Sequence, residues 1–253
     1  MNDSFKRITQ LLKNPARILC ITGAGISADS GLPTYRGVSG LYESACTDEG
    51  IPIETALSGP MFRRQPELTW KYIHQLEKSC RGAFPNAGHT ALRELEERGH
   101  HVCILTQNVD GLHERAGSEN VIAIHGRLHE VGCCDCDYND AAADYEKLPA
   151  LPRCPLCDGI VRPRIILFGE ALPEKQLITL HQEMALGFDV VLSVGTTSLF
   201  PYILEPMLRA RSWGALSVEV NPEETPATLV SDVVFRDSAA AWFETLLGKL
   251  RED

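Results

Sequence analysis

The sequence has no surplus of basic residues and no long apolar run. Lys and Arg number 24 against 34 Asp and Glu, which leaves a net charge of −10. Because nucleic-acid binding needs basic groups to neutralise phosphates, we expect no nucleic-acid partner. No apolar run approaches the roughly 20 residues that span a bilayer, and residues 1–14 are too charged for a signal peptide. We therefore expect a cytoplasmic protein without a membrane partner.

Nine cysteines without a secretory signal favour a reducing compartment, where paired cysteines more often hold metal than form disulfides. Cys133 and Cys136 form one C-x-x-C pair, and Cys154 and Cys157 form a second pair after 17 intervening residues. This spacing predicts one structural Zn²⁺ bound by these four thiolates. The neighbouring Cys134 leaves open which thiol completes the first pair. Four unrelated thiols are the alternative interpretation.

Short apolar runs alternate with amphipathic segments of helical length. Near-continuous apolar runs are typical of strands that are buried on both faces of a parallel sheet. The sequence therefore predicts an α/β fold, with a Rossmann-like doubly wound parallel sheet. The predicted strands are Ile18-Ile21, Val102-Leu105, Val121-Ile124, Ile165-Phe168, Val190-Val194, Leu216-Val220 and Val233-Phe235, and the clearest predicted helices are Asn86-Arg98, Glu174-Leu186 and Ser238-Leu250.

Two insertions interrupt this pattern. Residues 38–84 contain no clear strand and predict a helical insertion, and residues 126–161 carry the two cysteine pairs. We expect the two insertions to form a small domain, the second as a zinc-binding module. The Rossmann-like domain then comprises residues 1–37, 85–125 and 162–253.

Polar residues and glycines follow the predicted strands, at the edge where open parallel sheets bind ligands. We expect them to meet in one crevice. They are Gly23, Ala24, Gly25, Gln107, Asn108, Asp110, His125, Gly169, Glu170, Gly195, Thr196, Ser198 and Asn221. Taken singly, each also has a plain structural interpretation: a tight turn at Gly23 and Gly25, helix caps at Asn108 and Asp110, and a structural histidine at position 125.

The stretch from Gly23 to Gly37 begins like a dinucleotide-binding loop and then departs from that pattern. The glycines allow a backbone to approach a pyrophosphate, and a long helix is expected to follow. Gly31 and Pro33 break such a helix, and Tyr35 and Arg36 come directly after the break. The sequence thus predicts a loop over a bound dinucleotide rather than a continuous helix.

Several motifs together resemble the sirtuins, in family order from about residue 18 to 221. They are GAGISADSGLPTYRG at 23–37, TQNVDGLHERAG at 106–117, IHGRLHEVGCCDC at 124–136, CPLC at 154–157, RPRIILFGE at 162–170, VGTTS at 194–198 and VEVN at 218–221. The resemblance implies a bacterial-type enzyme that consumes NAD as co-substrate, removes an acyl group from lysine side chains of proteins, and releases nicotinamide and O-acyl-ADP-ribose.

The resemblance also implies roles for single residues. His125 is implied as the general base that activates a ribose hydroxyl, and Asn108 as its catalytic neighbour. The loop within residues 23–37 would keep water from the reacting ribose carbon. The implied NAD-binding residues are Gly23, Ala24, Gly25, Ser27, Tyr35, Arg36, Gln107, Asn108, Asp110, Gly195, Thr196, Ser198 and Asn221.

For the acylated peptide, the resemblance implies a tunnel lined by Ile166, Phe168, Gly169, Glu170 and Leu199. Family members that remove succinyl groups carry a Tyr-x-x-Arg pair, and Ile73 and Leu76 stand at those places here. An acyl carboxylate would meet no compensating charge there. We therefore expect acetyl or longer apolar acyl groups as substrates.

Three other functions are compatible with part of this pattern. An NAD-dependent protein ADP-ribosyltransferase would use the same cofactor residues without needing His125. A noncatalytic NAD- and zinc-binding scaffold would not need Gln107, Asn108, Asp110 and His125 together. A dehydrogenase would carry an acidic ribose-binding residue after its second strand, and none is found at the usual distance.

Overall fold

The computed structural model describes residues 2–33 and 47–252. Within these residues the chain forms nine strands and ten α-helices. The strands are β1 (Arg17–Thr22), β2 (His101–Thr106), β3 (Val121–Ala123), β4 (Gly126–Cys133), β5 (Asn139–Asp140), β6 (Val161–Ile165), β7 (Val190–Val194), β8 (Leu216–Val220) and β9 (Val233–Phe235). The helices are α1 (Asn2–Leu11), α2 (Ala24–Ser27), α3 (Ile53–Ala56), α4 (Gly59–Arg64), α5 (Pro66–Cys80), α6 (Ala87–Glu97), α7 (Leu112–Arg115), α8 (Glu174–Leu186), α9 (Pro201–Trp213) and α10 (Ala239–Glu252).

Six parallel strands form the main sheet in the order β3-β2-β1-β7-β8-β9. Helices α1, α6 and α10 supply residues to the core on one face, and α8 and α9 supply residues to the core on the other. This confirms the predicted doubly wound α/β fold. The strand order reverses between β1 and β7, which is where such sheets open a ligand crevice.

The register of the sheet brings three strand ends to one level. Thr22, the last residue of β1, lies opposite Thr106 of β2 and opposite Val194 of β7. The residues that follow these strands, Gly23, Gln107 and Gly195, therefore emerge side by side. The sequence pattern predicted this meeting point because it identified all three strand ends.

A smaller antiparallel sheet has the order β5-β4-β6. Its side chains share one apolar core with the helical insertion, and Trp70 of α5 donates from Nε1 to the carbonyl of Val161 at 3.0 Å. Both insertions thus pack together in the proposed small domain of residues 38–84 and 126–161, and β6 continues its sheet to Ile165.

The prediction that Ile165-Phe168 is a strand of the parallel sheet is wrong. The strand here is β6, which pairs antiparallel with β4 in the small sheet and ends at Ile165. Burial alternates along residues 161–168, so that Ile165 and Leu167 are buried and Phe168 is exposed. The sequence suggested a strand buried on both faces because Phe168 is apolar, although its side chain is exposed.

Among residues 2–33 and 47–252, no helix combines the length and the apolar character that crossing a bilayer requires.

Candidate active site

The glycine loop after β1 packs directly on the backbone after β7. The amide of Gly25 donates to the carbonyl of Gly195 at 2.8 Å, and Gly23 donates to Val194 at 3.2 Å. A Cβ atom on Gly25 would lie 2.6 Å from Gly195 Cα, and one on Gly23 would lie 2.8 Å from Gly195 O. These glycines are therefore required by the contact between two loops, whatever ligand the loop also approaches.

The helix after this loop is short, as the sequence predicts. Ala24 is the first residue of α2, and a 3-10 turn over Ala28–Ser30 ends at Gly31, whose φ of 80° is left-handed. Helix α2 thus begins directly after Gly23, at the switch point of the sheet. Tyr35 and Arg36 lie outside the described residues.

Side chains from three strand ends are joined through Thr196. Gln107 Nε2 donates to Thr196 Oγ1 at 2.6 Å, and Asn221 Nδ2 donates to the Thr196 carbonyl at 2.9 Å. The amide of Ser198 also donates to Thr196 Oγ1, at 3.2 Å. Ser198 is buried and has a φ of 52°, a backbone conformation that is rare for a serine. The β2, β7 and β8 ends of the crevice are therefore held in fixed relative positions.

Ser27, Asn108 and Asp110 form a second network in the crevice. Asn108 Nδ2 donates to the Gly23 carbonyl at 3.0 Å and to Ser27 Oγ at 3.1 Å, and Ser27 Oγ donates to Asp110 Oδ2 at 2.8 Å. Burial raises the pKa of Asp110, and hydrogen bonds from Leu112 and Ser27 oppose this. A carboxyl group of raised pKa next to amide and hydroxyl donors can bind a polar, uncharged group such as a carboxamide.

The capping interpretation holds for one of the two residues considered. Asp110 Oδ1 accepts from the amide of Leu112 at 2.9 Å at the start of α7, so it caps that helix and also contacts Ser27. Asn108 donates instead to the glycine loop. The helix begins at Leu112.

Two histidines that the sequence analysis did not single out lie behind this network. His89 and His113 are fully buried, with ring centroids 4.8 Å apart. His89 Nε2 lies 3.5 Å from Ser27 Oγ, and His113 Nε2 lies 3.0 Å from Thr22 Oγ1. Burial lowers the pKa of His89 to about 4 and lowers the pKa of His113 well below its usual range. Both rings are therefore neutral near pH 7.

His125 follows β3 and is half-buried at the same edge of the sheet. Its Nδ1 lies 3.0 Å from the carbonyl oxygen of Gln107, and its Nε2 lies 2.7 Å from the hydroxyl of Tyr202. Burial lowers the pKa of His125, and the bond to Gln107 opposes this. A neutral imidazole has one acceptor nitrogen that can take up a proton, which suits a general base.

Tyr202 is a site residue that the sequence analysis missed. It belongs to the first turn of α9, and its ring stacks on Phe200 at a centroid distance of 5.5 Å. Nothing in the local pattern distinguishes it from other aromatic residues at the start of a helix. Its proximity to His125 depends on the path of the chain after β7.

The segment Ile166, Phe168, Gly169 and Glu170 joins the crevice to the helical insertion. Ile166 donates its amide to the His125 carbonyl at 2.9 Å, and Phe168 pairs with Ser58 in a single parallel bridge. Gly169 is exposed with a φ of 79°. Glu170 forms a bidentate ion pair with Arg162, at 2.7 and 3.0 Å, and accepts from the Leu167 amide. Glu170 thus fixes the segment instead of projecting freely from it.

Two apolar side chains directly before α9 are exposed. Leu199 is 66% exposed and Phe200 42% exposed, at a site where a ligand could cover them. Ile73 is fully buried in the core of the small domain, and Leu76 packs partly buried against that core. Neither residue offers a positive charge to an acyl group.

The four predicted zinc ligands converge. The Sγ atoms of Cys133, Cys136, Cys154 and Cys157 all lie within 4.8 Å of one another. Three of the pairs are 3.5 Å apart, close to the about 3.8 Å between thiolates around a tetrahedral Zn²⁺. Amides of Asp135 and Leu156 donate to Cys133 and Cys154 sulfurs, which favours thiolates. The donor set fits zinc.

Cys134 is exposed and stands outside this cluster. The first pair is therefore completed by Cys133 and Cys136, which resolves the alternative that the sequence left open. The cluster provides four protein ligands, so a bound Zn²⁺ would have no position left for substrate.

Comparisons with known proteins agree with this geometry. The sequence model of the Sir2 family matches residues 23–200. The chain is 50% identical to NAD-dependent protein deacylase 2 of Pseudomonas syringae pv. tomato over 232 residues, which cover 90% of this chain and 93% of that protein. It is 37% identical to the NAD-dependent protein deacylase of Pyrococcus furiosus over 250 residues, covering 96% and 97%.

A solved structure extends the likeness to the fold. A Sir2 homologue in complex with NAD is 35% identical and superposes with a TM-score of 0.85, covering 98% of this chain and 94% of that one. The family match spans both the glycine loop and the cysteine cluster, so it includes the two features on which the site depends. The chain belongs to the Sir2 family.

Proposed function

We propose that the protein is an NAD-dependent protein-lysine deacylase, which transfers an acyl group from a lysine side chain to ADP-ribose and releases nicotinamide. The single observation that carries this proposal is the position of His125. Its one acceptor nitrogen lies at the edge where the glycine loop and the strand ends meet, which is where a ribose hydroxyl would need a base.

The cofactor side of the crevice is assigned to the loops after β1, β2, β7 and β8. The turn of Gly23, Ala24 and Gly25 suits the phosphates, because a backbone with almost no side chains lies there at the switch point of the sheet. Gln107 and Asn108 suit the ribose, and Gly195, Thr196, Ser198 and Asn221 suit the adenosine. Tyr35 and Arg36 remain assigned to the loop above the ribose by family resemblance.

The nicotinamide carboxamide is assigned to Ser27 and Asp110. This pocket offers an acceptor and a hydroxyl that are already oriented by Asn108 and Leu112. Fixed partners favour one ring orientation, so the leaving nicotinamide and the attacking acyl oxygen are held in line. NAD, when bound, supplies the ribose carbon at which the exchange occurs.

The acyl-lysine is assigned to the channel between Ile166, Phe168, Gly169 and Glu170 on one side and Leu199 on the other. The apolar side chains of Phe168 and Leu199 are exposed, and a peptide strand could pair between the two segments. Because Ile73 and Leu76 provide no cation, the site favours acetyl and longer apolar acyl groups over succinyl. The four cysteines hold Zn²⁺ as a structural ion.

An ADP-ribosyltransferase is the second candidate, because it would use the same cofactor residues. The test is mass spectrometry of an acetyl-lysine peptide incubated with NAD and the protein. We expect deacetylated peptide, free nicotinamide and O-acetyl-ADP-ribose in equal amounts, and faster turnover of acetyl, butyryl or myristoyl peptides than of succinyl peptide. An intact acetyl group together with ADP-ribose attached to protein would instead identify a transferase.

A further inference from the structure

The hydroxyl of Tyr202 lies next to Nε2 of His125, the nitrogen that would have to accept a proton from the substrate. The distance of 2.7 Å from Nε2 is that of a good hydrogen bond. A substrate hydroxyl therefore cannot reach Nε2 directly, because the phenol of Tyr202 already occupies that hydrogen-bonding position.

The direction of this hydrogen bond follows from the other side of the ring. A carbonyl oxygen can only accept, so His125 Nδ1 must donate to Gln107. In the neutral imidazole, Nε2 then carries the lone pair, and Tyr202 must be the donor. His125 has one basic site, and the phenolic proton already points into it.

Two observations indicate that the phenol stays in place. The ring stacks on Phe200, and both rings also contact the edge or face of His125 at centroid distances of 6.1 Å. Tyr202 is anchored in the first turn of α9, next to Pro201. Burial raises the pKa of Tyr202 to about 12, so the hydroxyl keeps its proton near neutral pH.

We infer that Tyr202 is a further catalytic residue, which carries the proton from the ribose hydroxyl to His125. This inference rests on the proposed deacylase function. The phenolic oxygen donates its proton to Nε2 and still has lone pairs that can accept one from a sugar hydroxyl. A fixed phenol can thus accept and donate without leaving the imidazole.

The step is balanced. The ribose O–H bond breaks as a new phenol O–H bond forms, and the former phenol O–H bond breaks as the Nε2–H bond forms. The ribose oxygen keeps the electron pair with which it attacks the acyl carbon. His125 becomes an imidazolium whose Nδ1 still donates to Gln107, and Tyr202 is neutral before and after.

The test uses Tyr202→Phe, which keeps the ring and its stacking. Nicotinamide leaves before the ribose hydroxyl needs its base, so exchange of labelled nicotinamide into NAD reports folding, binding and the first step. We expect exchange at the wild-type rate but O-acyl-ADP-ribose formation slowed by roughly 10-fold to 100-fold. Tyr138→Phe, which changes a tyrosine of the small domain, is the matched control and should leave both rates unchanged.

A double variant separates a proton relay from a general disturbance. If Tyr202 acts only through His125, Tyr202→Phe should add no further loss to His125→Ala. Product formation by Tyr202→Phe at the wild-type rate or faster would overturn the relay, because the sugar would then reach His125 directly. Equal losses of exchange and product formation would also overturn it, by placing Tyr202 in binding. Failure of the wild-type protein to deacylate would refute the proposed function itself.

Discussion

The crevice of the large sheet and the cysteine cluster of the small domain are stabilised in different ways. The crevice is built from loops after β1, β2, β3, β7 and β8, which a buried core on each face of the sheet brings together. The cluster is built from two short turns that one metal ion would join. The comparison indicates that crevice geometry depends on the whole domain, whereas the cluster depends on a few local bonds.

The largest effect is expected from a substitution that disrupts only the cysteine cluster. Cys154→Ser should abolish zinc binding, since structural sites contribute on the order of 10 kcal/mol to local folding. Zinc content measured by mass spectrometry should fall from one ion per chain to near zero. Hydrogen exchange should rise in residues 126–165 and change little in β1 and β7. Cys134→Ser is the matched control and should retain the metal; equal loss of zinc there would contradict the ligand assignment.

The next largest effect is expected from a substitution that disrupts the contact between the loops after β1 and β7 in the crevice. Gly25→Ala would place a methyl group 2.6 Å from the Gly195 backbone, which cannot move aside as a flexible side chain would. We expect a loss of about 2–3 kcal/mol in the free energy of unfolding, together with weaker NAD binding. Urea denaturation and calorimetric titration measure both.

The control for this change is Gly248→Ala in α10, where nothing lies within 4 Å of the added methyl group. It should stabilise the protein by about 0.5–1 kcal/mol, because alanine favours helix. A neutral effect of Gly25→Ala on stability and NAD binding would show that the two loops separate easily.

Acid should weaken the crevice region through its buried histidines. The pKa of His89 is about 4 in the folded protein and 6.5 when unperturbed, so the unfolded chain binds the proton more readily. The stabilising contribution is therefore complete above pH 6.5 and is lost as the pH falls toward 4, with about 2 kcal/mol lost by pH 5. His113 acts in the same direction.

Urea denaturation at pH 7 and pH 5 measures this loss. His89→Gln should reduce the pH dependence, whereas His181→Gln, at an exposed position on α8, should leave it unchanged. An identical pH dependence in all three proteins would show that the buried pair does not control acid stability.

The smallest expected effect lies where the two regions join. Glu170→Gln removes the charge that pairs with Arg162 and weakens the support of residues 166–170. We expect a destabilisation of about 1–2 kcal/mol and a KM for acylated peptide that rises roughly threefold to tenfold. Glu146→Gln, which removes an exposed partner of Arg81, should change neither quantity. Steady-state kinetics with varied peptide concentration would detect the difference. An unchanged KM would show that Glu170 does not contribute to peptide binding.

The difference between local and long-range contacts also explains how much of the fold and of the site the sequence could predict. Strand ends and cysteine spacing are local signals, so the crevice edge and the zinc cluster both follow from the chain itself. The run Ile165-Phe168 was misassigned because its apolar residues hide an alternating burial pattern. Tyr202, His89 and the Arg162 partner of Glu170 were not predicted, because each depends on how distant segments pack.

The central claim is that His125 is the base that acts on the ribose in an NAD-dependent deacylation. The most direct measurement compares O-acyl-ADP-ribose formation by His125→Ala and by the wild-type protein, with NAD affinity determined for both. The account predicts product formation reduced at least about 100-fold with NAD affinity changed little. Product formation at the wild-type rate by the alanine variant would contradict it.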